Sequence, residues 1–179
     1  MMHLTATRAR LSPLRRGLTF AALALLGSAA MAAAAQITVP MWPVPATLQS
    51  LVVLVIGALG GPALGAATML AYLAEGAMGL PVFAGGAAGP AALMGPTAGF
   101  LLGFVLSAWL AGFTPRQGLL RQGAVLLGAH LALFVPGVLW LSTVTGLEKA
   151  LMAGFVLFIP GTLVKTALAL ATLRAARRG

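Results

Sequence analysis

Few side chains in this sequence can do more than fill space, and those few recur at spacings that bring them together. Lys165 lies about one and a half turns into the apolar run that opens at Pro160, with Thr162 on the same helical face and Thr166 beside it. Such a lysine either snorkels out to headgroups or stands as a cation awaiting a carboxylate. Thr68, Tyr72 and Glu75 follow i, i+4, i+7, a narrow polar stripe on an otherwise apolar helix, which is expected to face the interior of a bundle. Glu75 is the only acid within an apolar run, so it is either part of a ligand site or the partner of Lys165 in a structural ion pair. Thr47, Gln49 and Ser50 follow Trp42-Pro-Val-Pro45 at the start of another run. Thr47 suits a helix cap, and Gln49 offers both a donor and an acceptor to an amide-like ligand. Thr97, beside Pro96, repeats the pattern.

Other chemistry is excluded by residue type. There is no cysteine and there are two histidines, His3 and His130, so no metal site is expected; a mid-span His130 reads as an interhelical hydrogen-bond partner. Gly161-Thr-Leu-Val-Lys165-Thr superficially resembles a phosphate-binding loop, but Val164 stands where the glycine before lysine belongs. Nor is there a Ser/His/acid set or a carboxylate pair, so no enzyme and no cofactor are expected.

The elements that must position these residues are membrane helices. Of 179 residues, 60% are apolar and 7% charged, and the mean hydropathy is +1.04, which demands lipid as solvent. The 23 Gly and 11 Pro are tolerable in such helices. Apolar runs at about 18–35, 46–60, 62–80, 96–113, 119–143 and 160–176 give an all-α protein of six transmembrane helices. The domains are then a basic segment 1–17, a membrane domain 18–176 and a basic tail 177–179. The net charge of +9 does not imply nucleic acid, because the basic residues gather at helix ends. Arg8, Arg10, Arg15 and Arg16, then Arg116 and Arg121, then Arg174, Arg177 and Arg178 all fall on one side, which the positive-inside rule makes cytoplasmic, along with both termini. A basic start and Ala33-Ala-Ala35 before Gln36 also fit a cleavable signal peptide, but the run exceeds a usual signal core, and a retained span is expected.

Loops on the opposite side are long and rich in Pro, Gly and aromatics: 37–45, 81–95 and 143–159, the last with a short interfacial helix expected over 147–158. Pro45, Pro96 and Pro160 are expected to open three helices whose N-termini point outward together, a setting that favours an anion.

At these positions the sequence resembles the BioY family, the biotin-specific substrate-binding (S) components of energy-coupling factor transporters. The likeness runs from about Ala21 to Lys165 and rests on Pro43-Val-Pro-Ala-Thr47-Leu-Gln49, Tyr72-Leu-Ala-Glu-Gly76, Gly79-Leu-Pro-Val-Phe83-Ala-Gly-Gly86, Gly95-Pro-Thr97-Ala-Gly99-Phe100 and Pro160-Gly-Thr162-Leu-Val-Lys165. It implies an S-component fold, a biotin site near the outer face, uptake into the cytoplasm across a bacterial cytoplasmic membrane, and a partner complex of a membrane coupling protein with two ATPases, or else a self-oligomer. It also implies that Gln49, Tyr72 and Lys165 touch ligand. Thr162 stands where the family usually has an acid.

Biotin's chemistry fits these residues: the carboxylate is expected near Lys165 and the N-terminus of the last helix. Gln49, Tyr72, Thr47 or Thr97 would serve the ureido ring, and Trp42 and Phe83 would cover the apolar part. The reverse polarity, with the ureido end at Thr162, stays open. So do an S component for another vitamin and a non-transporting scaffold.

Overall fold

The computed structural model describes residues 12–178. Helix α1 (Pro13–Gln36) begins inside the segment expected to lie before the first span, because Pro13 occupies the first turn and Ser12 Oγ accepts from the Arg15 N–H at 3.3 Å. The arginines do not stop the helix, since their long side chains reach headgroups while the backbone continues. Arg8 and Arg10 lie outside the described residues.

A short antiparallel pair, β1 (Thr38–Val39) with β2 (Ala46–Thr47), closes the first long loop and qualifies the all-α expectation. Helix α2 (Gln49–Ala77) is a hairpin of two helical segments. Gly61 takes φ 81° and ψ 172°, and Pro62 follows; only glycine adopts that φ without strain. The reversal is visible in the contacts. Gln49 Nε2 donates to Tyr72 Oη at 2.7 Å, although 23 residues of straight helix would span about 35 Å.

Beyond a single 3₁₀ turn (Ala84–Gly86) come α3 (Gly89–Ala92), α4 (Ala98–Ala111), α5 (Leu119–Ala132) and α6 (Phe134–Thr145). The last two form one rod interrupted at Leu133, where Pro136 can supply no N–H to the ladder. Helix α7 (Leu147–Gly154) and a 3₁₀ turn (Val156–Phe158) occupy the third long loop before α8 (Ile159–Ala176).

Close packing of α2 on α4 depends on small residues. A β-carbon on Gly57 would run into the Ala108 carbonyl oxygen, and one on Gly65 would lie 2.9 Å from the same atom and 3.0 Å from Gly57 Cα. The interior is apolar, with Met31, Val53, Met69 and Phe104 in one cluster and Leu54, Leu126 and Leu173 in another. The outer surface is apolar too, carrying exposed Leu25, Leu70, Leu102, Leu139 and Val164. That pattern suits a lipid solvent. By length and composition, Pro13–Gln36, Gln49–Ala77, Leu119–Thr145 and Leu147–Ala176 can each cross a membrane.

Of the three prolines expected to open helices, Pro160 lies in the first turn of α8. Pro45 instead leads into β2, and α2 starts at Gln49; Pro96 lies in a turn closed by Ala98 N–H donating to Gly95 O at 3.1 Å. In both places the chain bends through local main-chain bonds before the helix begins, so of these three prolines Pro160 alone stands in the first turn of its helix.

Candidate functional site

The starts of α2, α4 and α8 and the end of α5 converge on one end of the bundle and enclose two adjoining hollows. The larger, about 310 Å3, is lined by Val44, Thr47, Gln49, Phe83, Thr97 and Phe100, among others. The smaller, about 50 Å3, runs on past Thr47, Phe100 and Phe104 to Ser50, His130, Phe134, Thr162 and Lys165. Polar groups sit at the two extremes, and phenylalanine faces lie between them.

At the first extreme the polar groups are held by one another. Tyr72 is fully buried on the returning arm of α2; its hydroxyl donates to Val82 O at 3.0 Å and accepts from Gln49 Nε2. Gln49 Oε1 accepts from Thr47 Oγ1 at 3.0 Å, and Thr47 Oγ1 also accepts from the Gln49 N–H at 3.3 Å. Thr47 thus meets the first N–H of α2 from one residue before the N-cap, which is Leu48 and makes no side-chain cap bond. Phe83 packs edge-to-face on Tyr72, ring centroids 5.3 Å apart. Tyr72 thus stands behind Gln49 and fixes its amide.

At the second extreme Lys165 turns inward. Its half-buried ammonium donates to Thr47 O at 2.7 Å and Ser50 Oγ at 3.2 Å, tying α8 to the start of α2. Thr162 is buried one turn earlier, in the first turn of α8, where backbone N–H groups are free and the helix dipole is positive. An ammonium and a helix N-terminus therefore gather here, and among the described residues no carboxylate lines the smaller hollow.

Three expected site residues line neither hollow: Tyr72, which stands behind Gln49 rather than facing the cavity, Trp42 and Glu75. Trp42 is 85% exposed and lines a separate outer groove with Lys149 and Met152; Val44, two residues on, supplies the buried apolar surface instead. A loop aromatic has no periodicity to tell which way it points. Glu75 lies outside the lining of both hollows and accepts a hydrogen bond from Ser28 Oγ on α1. Its ion pair with Lys165 is not formed, because a nearby hydroxyl satisfies the carboxylate.

His130, expected as an interhelical hydrogen-bond partner, makes that bond to α8 and also faces the cavity, which the sequence did not indicate. It is 1% exposed, lines the smaller hollow, lies 2.8 Å by Nδ1 from Thr166 Oγ1 and stacks on Phe134. Phe104 and Phe134 also escaped notice, and Phe100 stood in a motif without a role, since aromatics in an apolar span look alike until the fold selects the inward ones.

The fold matches that of the crystal structure of the S-component for biotin from an ECF-type ABC transporter, with a TM-score of 0.83 over 95% of this chain and 96% of that one at 24% identity. Among curated proteins, the probable biotin transporter BioY of Pyrococcus horikoshii is 39% identical over 135 residues, 75% of this chain and 82% of its own. The biotin transporter BioY of Thermotoga maritima is 38% identical over 75% of this chain and 82% of its own; that of Rhizobium etli is 37% identical over 71% and 74%. The BioY family model matches residues 5–179, and the chain belongs to the BioY family.

Proposed function

We propose that this chain is a biotin-binding S component that captures the vitamin at the outer face of the bacterial cytoplasmic membrane and serves its uptake. The observation that carries this reading is the two-ended cavity: a fixed amide at Gln49 and an ammonium at Lys165, with phenylalanine between them. Biotin has matching ends, a ureido ring that donates and accepts, and a carboxylate on an aliphatic arm. The larger hollow, about 310 Å3, is at the lower end of the range for small-molecule sites. The carboxylate goes to Lys165 and the start of α8, and the ureido ring to Gln49, Thr47 and Thr97.

The membrane arrangement follows the same reading. The reversal at Gly61 makes α2 two crossings, which with α1, α4, the α5–α6 rod and α8 gives six. Arg177, the C-cap of α8, donates to Pro115 O at 2.8 Å, so two of the three basic segments adjoin at the end away from the cavity. That end is cytoplasmic by the positive-inside rule, with both termini. The chain is no enzyme on this reading and needs no cofactor. Energy comes from a membrane coupling protein with two ATPases, in keeping with Val164 in place of a phosphate-loop glycine.

Calorimetry of the purified chain tests the reading. Biotin should bind in a saturable, one-to-one manner, with thiamine and riboflavin unable to compete; competition by either vitamin would reassign the ligand. Uptake of labelled biotin by cells lacking every coupling ATPase should cease, and persistent uptake would favour transport by the chain alone or as an oligomer.

A further inference from the structure

The end of the bundle remote from the cavity holds a recess of about 510 Å3 lined by Arg116, Arg174, Arg177 and Arg178, with Leu119 and Gln122 between them. One of its charges is held in place. The Arg177 guanidinium donates to the carbonyls of Pro115 at 2.8 Å, Ala58 at 3.2 Å and Thr114 at 3.5 Å, which leaves part of its donor fork free. Gln122, 4% exposed, donates to the carbonyls of Pro115 at 3.1 Å and Arg116 at 3.0 Å, fixing the loop that carries Arg116.

The chain has no acidic side chain with which to balance this cluster. Its two acids are Glu75, bonded to Ser28, and Glu148, in the first turn of α7, both toward the other end. Four guanidinium groups around one hollow repel one another unless anions arrive from outside. We propose that the recess holds the phosphate of an anionic phospholipid from the leaflet at that end. Guanidinium forks match phosphate oxygens. The N-terminus of α5, whose cap residue Gly118 offers no side chain, opens into the same hollow with free N–H groups. Leu119 and Leu120, the latter 87% exposed, stand on the rim where an acyl chain would lie beside its headgroup. A free phosphate or an acidic protein loop has no use for that apolar rim.

The test uses the purified full chain in neutral detergent micelles. Thermal unfolding is followed while phosphatidylglycerol, phosphatidylcholine or inorganic phosphate is titrated into wild type, R174Q/R178Q and R15Q/R16Q. Phosphatidylglycerol is expected to raise the midpoint, phosphatidylcholine to leave it unchanged, and inorganic phosphate to reproduce only a fraction of the rise. The R174Q/R178Q protein should need about thirty-fold more phosphatidylglycerol for half the effect, for two charges lost. R15Q/R16Q, which removes the same charge elsewhere, should behave as wild type, and biotin affinity should be unchanged in both. If R174Q/R178Q fails to fold, R116Q with native mass spectrometry of retained lipid reads the same site. The proposal falls if the two lipids act alike, if inorganic phosphate gives the full rise, or if R15Q/R16Q loses as much as R174Q/R178Q. Absence of any lipid preference in both readouts also overturns it and leaves the recess to an acidic protein surface.

Discussion

Replacing Lys165 by Met keeps an unbranched apolar stem and removes the ammonium. That ammonium is half-buried, 2.7 Å from Thr47 O and 3.2 Å from Ser50 Oγ, on the wall of the smaller hollow. If it receives the carboxylate of biotin, the variant leaves an anion facing hydroxyls and phenylalanine. Stripping one partner from a buried, hydrogen-bonded charge pair costs about 2–5 kcal/mol, and partial exposure puts this case near the low end, about 2–3 kcal/mol. The dissociation constant should therefore rise roughly 30- to 160-fold. Calorimetry with biotin and with its neutral amide, biotinamide, isolates the charge term. In wild type the amide should bind more weakly by about the same factor, whereas in Lys165→Met the two ligands should bind alike. Thermal unfolding must be recorded alongside, because the tie between α8 and Thr47 is lost as well. Equal losses for both ligands in the variant would refute the argument, since the ammonium would then be a strut between helices and the carboxylate would lie elsewhere.

Tyr72→Phe removes a hydroxyl that serves both Val82 O and Gln49 Nε2, so unfolding should become easier by about 1–3 kcal/mol and biotin should bind more weakly through a loosened Gln49; unchanged calorimetry and melting would mean that the amide needs no such support. Glu75→Gln retains an acceptor for Ser28 Oγ and should leave biotin affinity at the wild-type value, whereas a loss like that of Lys165→Met would return Glu75 to the site. Thr162→Asp places a competing anion in the first turn of α8 and should weaken biotin binding; a gain in affinity would turn the ligand around, ureido ring toward α8. Gly57→Ala drives a methyl into the Ala108 carbonyl and should cost about 1–3 kcal/mol in thermal stability, while Gly128→Ala, with nothing within 4 Å, should not.

How much of this was legible beforehand differs from residue to residue. The stripe Thr68–Tyr72 was readable because a helix presents i and i+4 on one face, and both side chains are indeed fully buried. Glu75 was misjudged because its partner was sought among the few charges, whereas a neutral hydroxyl on α1 was enough. Lys165 could be placed in a span but not aimed: whether its ammonium turns to lipid or inward depends on the Thr47 carbonyl, 118 residues earlier, which no local pattern reveals. Pro45 and Pro96 misled because proline serves a turn or a strand entrance as readily as a first helical position. His130 was legible as an interhelical hydrogen-bond partner, which its contact with Thr166 on α8 bears out, but not as a cavity wall, since a packing histidine and a cavity-lining one share the same apolar surroundings.

The reversal at Gly61 also sets the order in which the site is made. Gln49 and Tyr72 are 23 residues apart and belong to one helical hairpin, so the amide end can form as soon as that hairpin leaves the ribosome. The ammonium end must wait for α8. At about 5–20 residues per second, the 118 residues from Thr47 to Lys165 take roughly 6–24 s to synthesise. The walls from α4 and α5 are added during that interval around an amide already fixed, and the last helix to be made supplies the charge that closes the chamber.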